Sequence, residues 1–163
     1  MIININDKNF FYQEIAEPIV DTILYLMKEN VKNFESYNTW PYEVPIAGEE
    51  EKINHFNWQM EVVRSDSKDF NYSLFGIAGR DYCDEPSITI TIVLPKGKHQ
   101  KTVNLSRPEL YDVVSHELHH LAQNMENNSH TRAAKYCQPK SSKLSYLLDP
   151  YEIEAFHIGI RAN

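Results

Sequence analysis

The sequence predicts an α+β domain in which a small, mostly antiparallel sheet packs against N-terminal, central and C-terminal helices. Three observations carry this. Apolar residues recur at helical spacing near the N-terminus, two central segments alternate strictly, and a long capped amphipathic helix follows them. At 163 residues, with 42% hydrophobic and 24% charged side chains, the chain fits one globular domain spanning 1–163.

The elements follow in order. From Phe10 to Asn33, Ile15, Ile19, Ile23, Leu26 and Met27 recur three or four apart, which predicts a helix. Pro18 marks either its true start or a kink. Residues 39–51 hold Pro41, Pro45, Gly48 and an acidic run, and read as a loop. From Ile53 to Arg64, Phe56, Trp58, Met60 and Val62 share one face and His55, Asn57, Gln59 and Glu61 the other, as in a half-buried strand. Tyr72 to Ala78 is a weaker strand ended by Gly79, and Ser87 to Leu94 a strong one with Ile88, Ile90, Ile92 and Leu94 inward.

A helix over 107–126 is announced by Ser106 and Glu109, a capping-box pair, with Pro108 in the first turn. Residues 127–149 are polar and read as a loop. Asp149, followed by Pro150, caps a last helix.

The charge balance is −7 and the pI about 5.5, which argues against nucleic acid as partner. The basic run Lys96–Lys101 reads as a solvated turn. Cys83 and Cys137 stand apart without a CxxC pairing and read as free thiols of a reducing compartment. The N-terminus lacks the pattern of a signal peptide, and no apolar run approaches the ~20 residues of a membrane helix. The expectation is a cytoplasmic monomer with no membrane partner.

The chemistry lies in Ser115-His116-Glu117-Leu118-His119-His120, an HExxH segment. Histidines four apart on a helix project from one face, one turn apart, and both imidazoles can reach one Zn²⁺ at ~2.0–2.1 Å. Glu117 then sits beside the open coordination position, where a carboxylate serves as base and later as acid toward an activated water. Leu110, Val114, Leu118, Leu121 and Met125 form the apolar stripe, and His116 and His120 lie away from it. His119 points about 100° from His120 and reads as structural. A solvated, His-rich helix surface is the plain alternative.

A catalytic zinc needs a third protein ligand. The C-terminal segment Asp149-Pro-Tyr-Glu-Ile-Glu-Ala-Phe-His157, following HExxH by some thirty residues, resembles the gluzincin type of zinc metallopeptidase, in particular its small single-domain bacterial and phage members. The likeness covers residues 105–160. It implies a zincin-like fold, one Zn²⁺ ion, a peptide or protein substrate, and Glu152 as third ligand, with Glu154 as second candidate. Glu152 also stands three residues after Asp149, where it would complete a capping box. Many relatives carry Asp or Asn four residues past the ligand glutamate; here that position is Phe156, so Asp112 or a backbone carbonyl must orient a zinc histidine instead. Tyr146, Tyr151 and His157 are candidate oxyanion donors, with ordinary packing as their default role. In zincins an edge strand above the active helix binds substrate, which the resemblance assigns to Ser87–Leu94 or its neighbour.

The leading expectation is therefore a zinc endopeptidase with Glu117 as general base and acid. One rival is a deformylase-like amidase with Cys83, 33 residues before His116, as third ligand; its flanks do not match that family. The other is a non-catalytic, zinc-stabilised interaction or virion-associated protein.

Overall fold

The computed structural model describes the backbone of residues 5–45 and 52–127 and the side chains of residues 14–39 and 55–123. The fold is α+β: helix α1 (Ile5–Lys28), strands β1 (Asn33–Pro45), β2 (Lys52–Arg64), β3 (Ser73–Arg80) and β4 (Pro86–Leu94), one 3-10 turn (Gln100–Thr102), and helix α2 (Arg107–Asn127). The helix expected from Asp149 lies outside the described residues.

The four strands form one mixed sheet in the order β1-β2-β4-β3. β1 pairs antiparallel with β2, β3 antiparallel with β4, and β2 parallel with β4. The chain thus crosses from β2 to the far edge, runs back as β3, and inserts β4 between them. That central place explains why β4 is the most apolar strand, since its neighbours and the helices enclose it. Ile88, Ile90, Ile92 and Leu94 are fully buried, in register with Trp58, Met60, Val62 and Arg64 of β2.

The sheet face carrying these isoleucines packs against the helices. Ala16, Ile19, Val20, Ile23, Leu26 and Met27 of α1 and Leu110, Val114, Leu118 and Leu121 of α2 complete the core with Phe56, Trp58 and Met60. All but Ala16 and Val20 are positions expected to face inward, while the expected Ile15 is only partly buried, so the helical and strand periodicities both survive folding. α1 runs through Pro18 as one helix, and Thr22 Oγ1 donates to the Pro18 carbonyl at 2.8 Å. At the opposite sheet face Tyr37, Phe75 and Ile77 are exposed.

The loop expected over 39–51 is corrected for its first seven residues, because β1 runs on to Pro45. The ladder breaks between Thr39 and Val44, where β1 has more residues than β2, and resumes at Val44–Ile53. β1 is an edge strand, where a proline costs no ladder bond on its open side. Pro41 and Pro45 therefore misled a reading that treated proline as a breaker.

The start of α2 also differs from a simple capping box. Ser106 Oγ accepts from the Glu109 N–H at 3.4 Å, as the pattern predicts. The return bond is relayed: the Ser106 N–H donates to the Tyr72 hydroxyl at 3.0 Å, which donates to Glu109 Oε2 at 2.6 Å. Tyr72 directly precedes β3, so the cap pins the start of α2 to the start of that strand. Arg107 adds an ion pair to Asp21 of α1.

Tyr72→Phe removes both relay bonds and leaves the Ser106 N–H without its acceptor. A loss of about 1 kcal/mol is expected, read as a lower urea midpoint at unchanged slope. Tyr111 supplies a second test. Burial, then the charge of Glu17, pushes its phenol up to about 12. A group with a raised folded pKa stabilises the fold fully below its unfolded value of ~10 and loses that contribution as pH rises through the folded value. Stability is expected to fall between about pH 10 and pH 12. The Tyr111 hydroxyl is buried with no hydrogen-bond partner among the described residues. Tyr111→Phe should therefore flatten that fall and cost nothing at neutral pH; denaturant midpoints across the alkaline range decide it.

Candidate active site

α2 is unusual in being buried on all sides along its centre. Every residue from Val114 to Gln123 is buried, including Ser115, His116, Glu117, His119, His120 and Gln123. His116, Glu117 and His120 are each 7–8% exposed. A solvated histidine surface is thereby excluded. Burying such groups is costly unless each is paired or hydrogen-bonded, so the arrangement among them matters.

The two histidines converge. Their Nε2 atoms lie 3.0 Å apart and the rings meet edge to face at 4.6 Å between centroids. Gln123, one turn on, holds the far side: its Oε1 lies 2.9 Å from His120 Nδ1. An amide oxygen only accepts, so His120 carries its proton on Nδ1 and presents an Nε2 lone pair.

This donor set suits a small tetrahedral cation. Two Zn–N bonds of ~2.0–2.1 Å at a tetrahedral angle would set the nitrogens roughly 3.3 Å apart, a few tenths more than the spacing present. His120 already has the required tautomer; His116 needs only to carry its proton on Nδ1. Gln123 is the orienting partner that the sequence reading assigned to Asp112 or a carbonyl. Its position three residues after His120 on one helix was the available signal.

Asp112 is half-buried one turn before His116. Burial pushes its carboxyl up, and the neighbouring His116 pulls it back. Its influence on His116 is thus through charge, while the hydrogen-bonding role at His120 belongs to Gln123. His119 is buried as well, consistent with the structural role expected of it.

Glu117 faces β3. A Cβ built on Gly76 would meet Glu117 Cγ at 2.2 Å, Cδ at 2.8 Å and Oε1 at 2.9 Å. The carboxylate therefore lies directly against the strand backbone. The sequence reading passed over Gly76; a lone glycine inside a strand was the missed sign of close backbone approach.

Glu152, Glu154, Tyr146, Tyr151 and His157 lie outside the described residues. Among the described residues no set of three or more His, Cys, Asp or Glu side chains forms a metal cage. Cys83 is an exposed thiol in the β3–β4 hairpin, so the amidase alternative gains no third ligand from it. His55 pairs with Glu85 at 2.9 Å on the other sheet face. No described helix is long and apolar enough to cross a membrane.

Replacing Gln123 by Met keeps its length and apolar stem but removes the acceptor for His120 Nδ1. Metal affinity, followed by zinc competition titration, is expected to weaken 10–100-fold. An unchanged affinity would discard the orienting role.

No family model, curated protein or solved structure gives a significant match to this chain.

Proposed function

We propose that this chain is a zinc-dependent hydrolase of the gluzincin type that cleaves peptide bonds. The observation carrying the proposal is the buried convergence of His116 and His120, with Nε2 atoms 3.0 Å apart, beside the buried carboxylate of Glu117. Two imidazoles turned toward one point and an acid one position away are what metal-assisted hydrolysis requires of a helix. His116, His120 and Glu152 are the proposed ligands, with Glu154 as alternative for the third.

Zinc held by His116, His120 and Glu152 would supply an acidified water and a polarised carbonyl oxygen. Glu117 would take a proton from that water and return it to the leaving amine. Its burial beside β3 excludes bulk water from that carboxylate. Gln123 keeps His120 in the tautomer that frees Nε2.

The sheet topology supports a peptide substrate. Of the two strands the resemblance offers, Ser87–Leu94 is core structure, its default reading, because β4 is paired on both sides. Its neighbour β3 lies at one edge of the sheet among the described residues, and it carries Gly76 against Glu117. An extended peptide added along β3 would run beside the proposed catalytic carboxylate. The zincin-like reading of the fold rests on this pairing of edge strand and HExxH helix.

Glu117→Gln is expected to retain one zinc per chain by mass spectrometry and to lose casein hydrolysis by 10²–10⁴-fold. Undiminished cleavage would reject Glu117 as the proton carrier. His116→Ala should lose both metal and activity. Zinc loss in Glu152→Ala but not in Glu154→Ala assigns the third ligand; the reverse pattern exchanges them. Chelation that silences the protein but leaves its circular dichroism intact separates a catalytic from a structural metal.

A further inference from the structure

The structure assigns Gly76 a role of its own: its missing side chain is the seat of the Glu117 carboxylate, which makes it a positioning residue for the proposed general base. This rests on the hydrolase reading above and deepens it.

Gly76 lies within β3, opposite Ile90 of β4. Directly paired residues share a sheet face, and Ile90 is fully buried on the helix face. A side chain at position 76 would therefore enter the space beneath α2. That space is filled by Glu117, whose Cγ stands 2.2 Å from where the Cβ would be. No ordinary contact is so short, and even a methyl group displaces the carboxylate.

The glycine is not there for its backbone. Among the described glycines only Gly97 has a positive φ. Gly76 adopts a conformation open to any L-residue, so the sole property used is the absent side chain. Gly79, three residues on, pairs with Ser87 on the other sheet face, where a Cβ would meet nothing within 4 Å. The contact with Glu117 thus belongs to the helix face of β3.

The functional consequence follows from placement. Among the described residues β3 lies at one edge of the sheet, and α2 carries the two histidines on the turn that also carries Glu117. Holding the carboxylate against the edge strand fixes it between the histidine pair and the line along which a β-paired substrate would lie. A larger residue at 76 turns the Glu117 side chain to another rotamer and breaks that alignment, while leaving His116, His120 and Gln123 untouched. A displacement of about 1 Å at a catalytic group can cost 10²-fold in rate.

Two measurements on the full chain test this. The first is a double-mutant cycle on thermal stability, which needs neither metal nor activity. Gly76→Ala is expected to lower Tm by about 5 °C in the protein with Glu117. In the Glu117→Ala background the same substitution should shift Tm by less than about 1 °C. Equal shifts in both backgrounds overturn the seat. Gly79→Ala is the control and should not couple to Glu117. The second measurement is casein hydrolysis with metal content by mass spectrometry. Gly76→Ala should keep one zinc, lose about 10²-fold in kcat, and change KM by less than about 3-fold. Retained kcat in an active, zinc-loaded variant overturns the positioning role. Failure of the hydrolase reading shows separately, as a wild-type protein without zinc-dependent hydrolysis, and the stability cycle still decides the seat.

Discussion

The constraint that governs this molecule is the burial of the centre of α2 on every side. A helix in a two-layer α+β fold normally keeps a polar face in water. Here ten successive residues, Val114 to Gln123, are buried, and six of them are polar or ionisable. Leu118, Leu121 and Ala122 face the core, so that side is ordinary. The other side must balance the desolvation of two imidazoles, a carboxylate and an amide. It does so through local pairing: Gln123 on His120, and His120 on His116. Such pairs hold geometry more than they add stability, since buried polar groups regain in hydrogen bonds only about what they lost in hydration.

The sheet is arranged to serve this helix. Inserting β4 at the centre leaves the sheet's interior entirely apolar on the helix face, as Ile88, Ile90 and Ile92 are. It also moves β3 to the margin, where it borders the polar side of α2 without having to fill the core. Tyr72 fastens the start of β3 to the first turn of α2 through the Ser106 and Glu109 bonds. The strand and helix are thus registered at one end, four residues before the point where Gly76 meets Glu117. A tie that close leaves little freedom for the separation at the glycine.

Much of this was legible in the sequence, and the parts that were not have a common cause. The alternation in 53–64 and 87–94 and the capped helix from 107 appear within a few residues of where the structure places them, because each is a periodic pattern within one element. HExxH was legible for the same reason, as a spacing inside one helix. Pairing partners were not. Nothing in a strand's own residues says that β2 and β4 lie parallel, or that Tyr72 enters the cap of α2. β1 was partly missed because its prolines sit on an open edge, a fact about neighbours and not about the segment. Gln123 and Gly76 fall between these cases. Helix spacing could have found the first and strand chemistry the second, yet each gains meaning only once the element facing it is known.

The choice of Gln123 has an electrostatic consequence for the proposed metal centre. A carboxylate bonded to a ligand histidine raises its basicity and adds negative charge near the cation. An amide oxygen fixes the same tautomer while adding none. The acidic groups of α2 nearest the histidine pair in sequence are then Asp112, one turn before His116, and Glu117 itself. Burial already resists ionisation of Asp112, so its contribution grows when a cation is near and diminishes when none is. The two histidines are thus supported unequally: His120 by a neutral hydrogen bond that persists without metal, His116 by a charge whose strength depends on it. On the proposed reading, His120 is the ligand whose ring a neutral amide already orients, and His116 the one that answers to the charge of Asp112, one turn upstream.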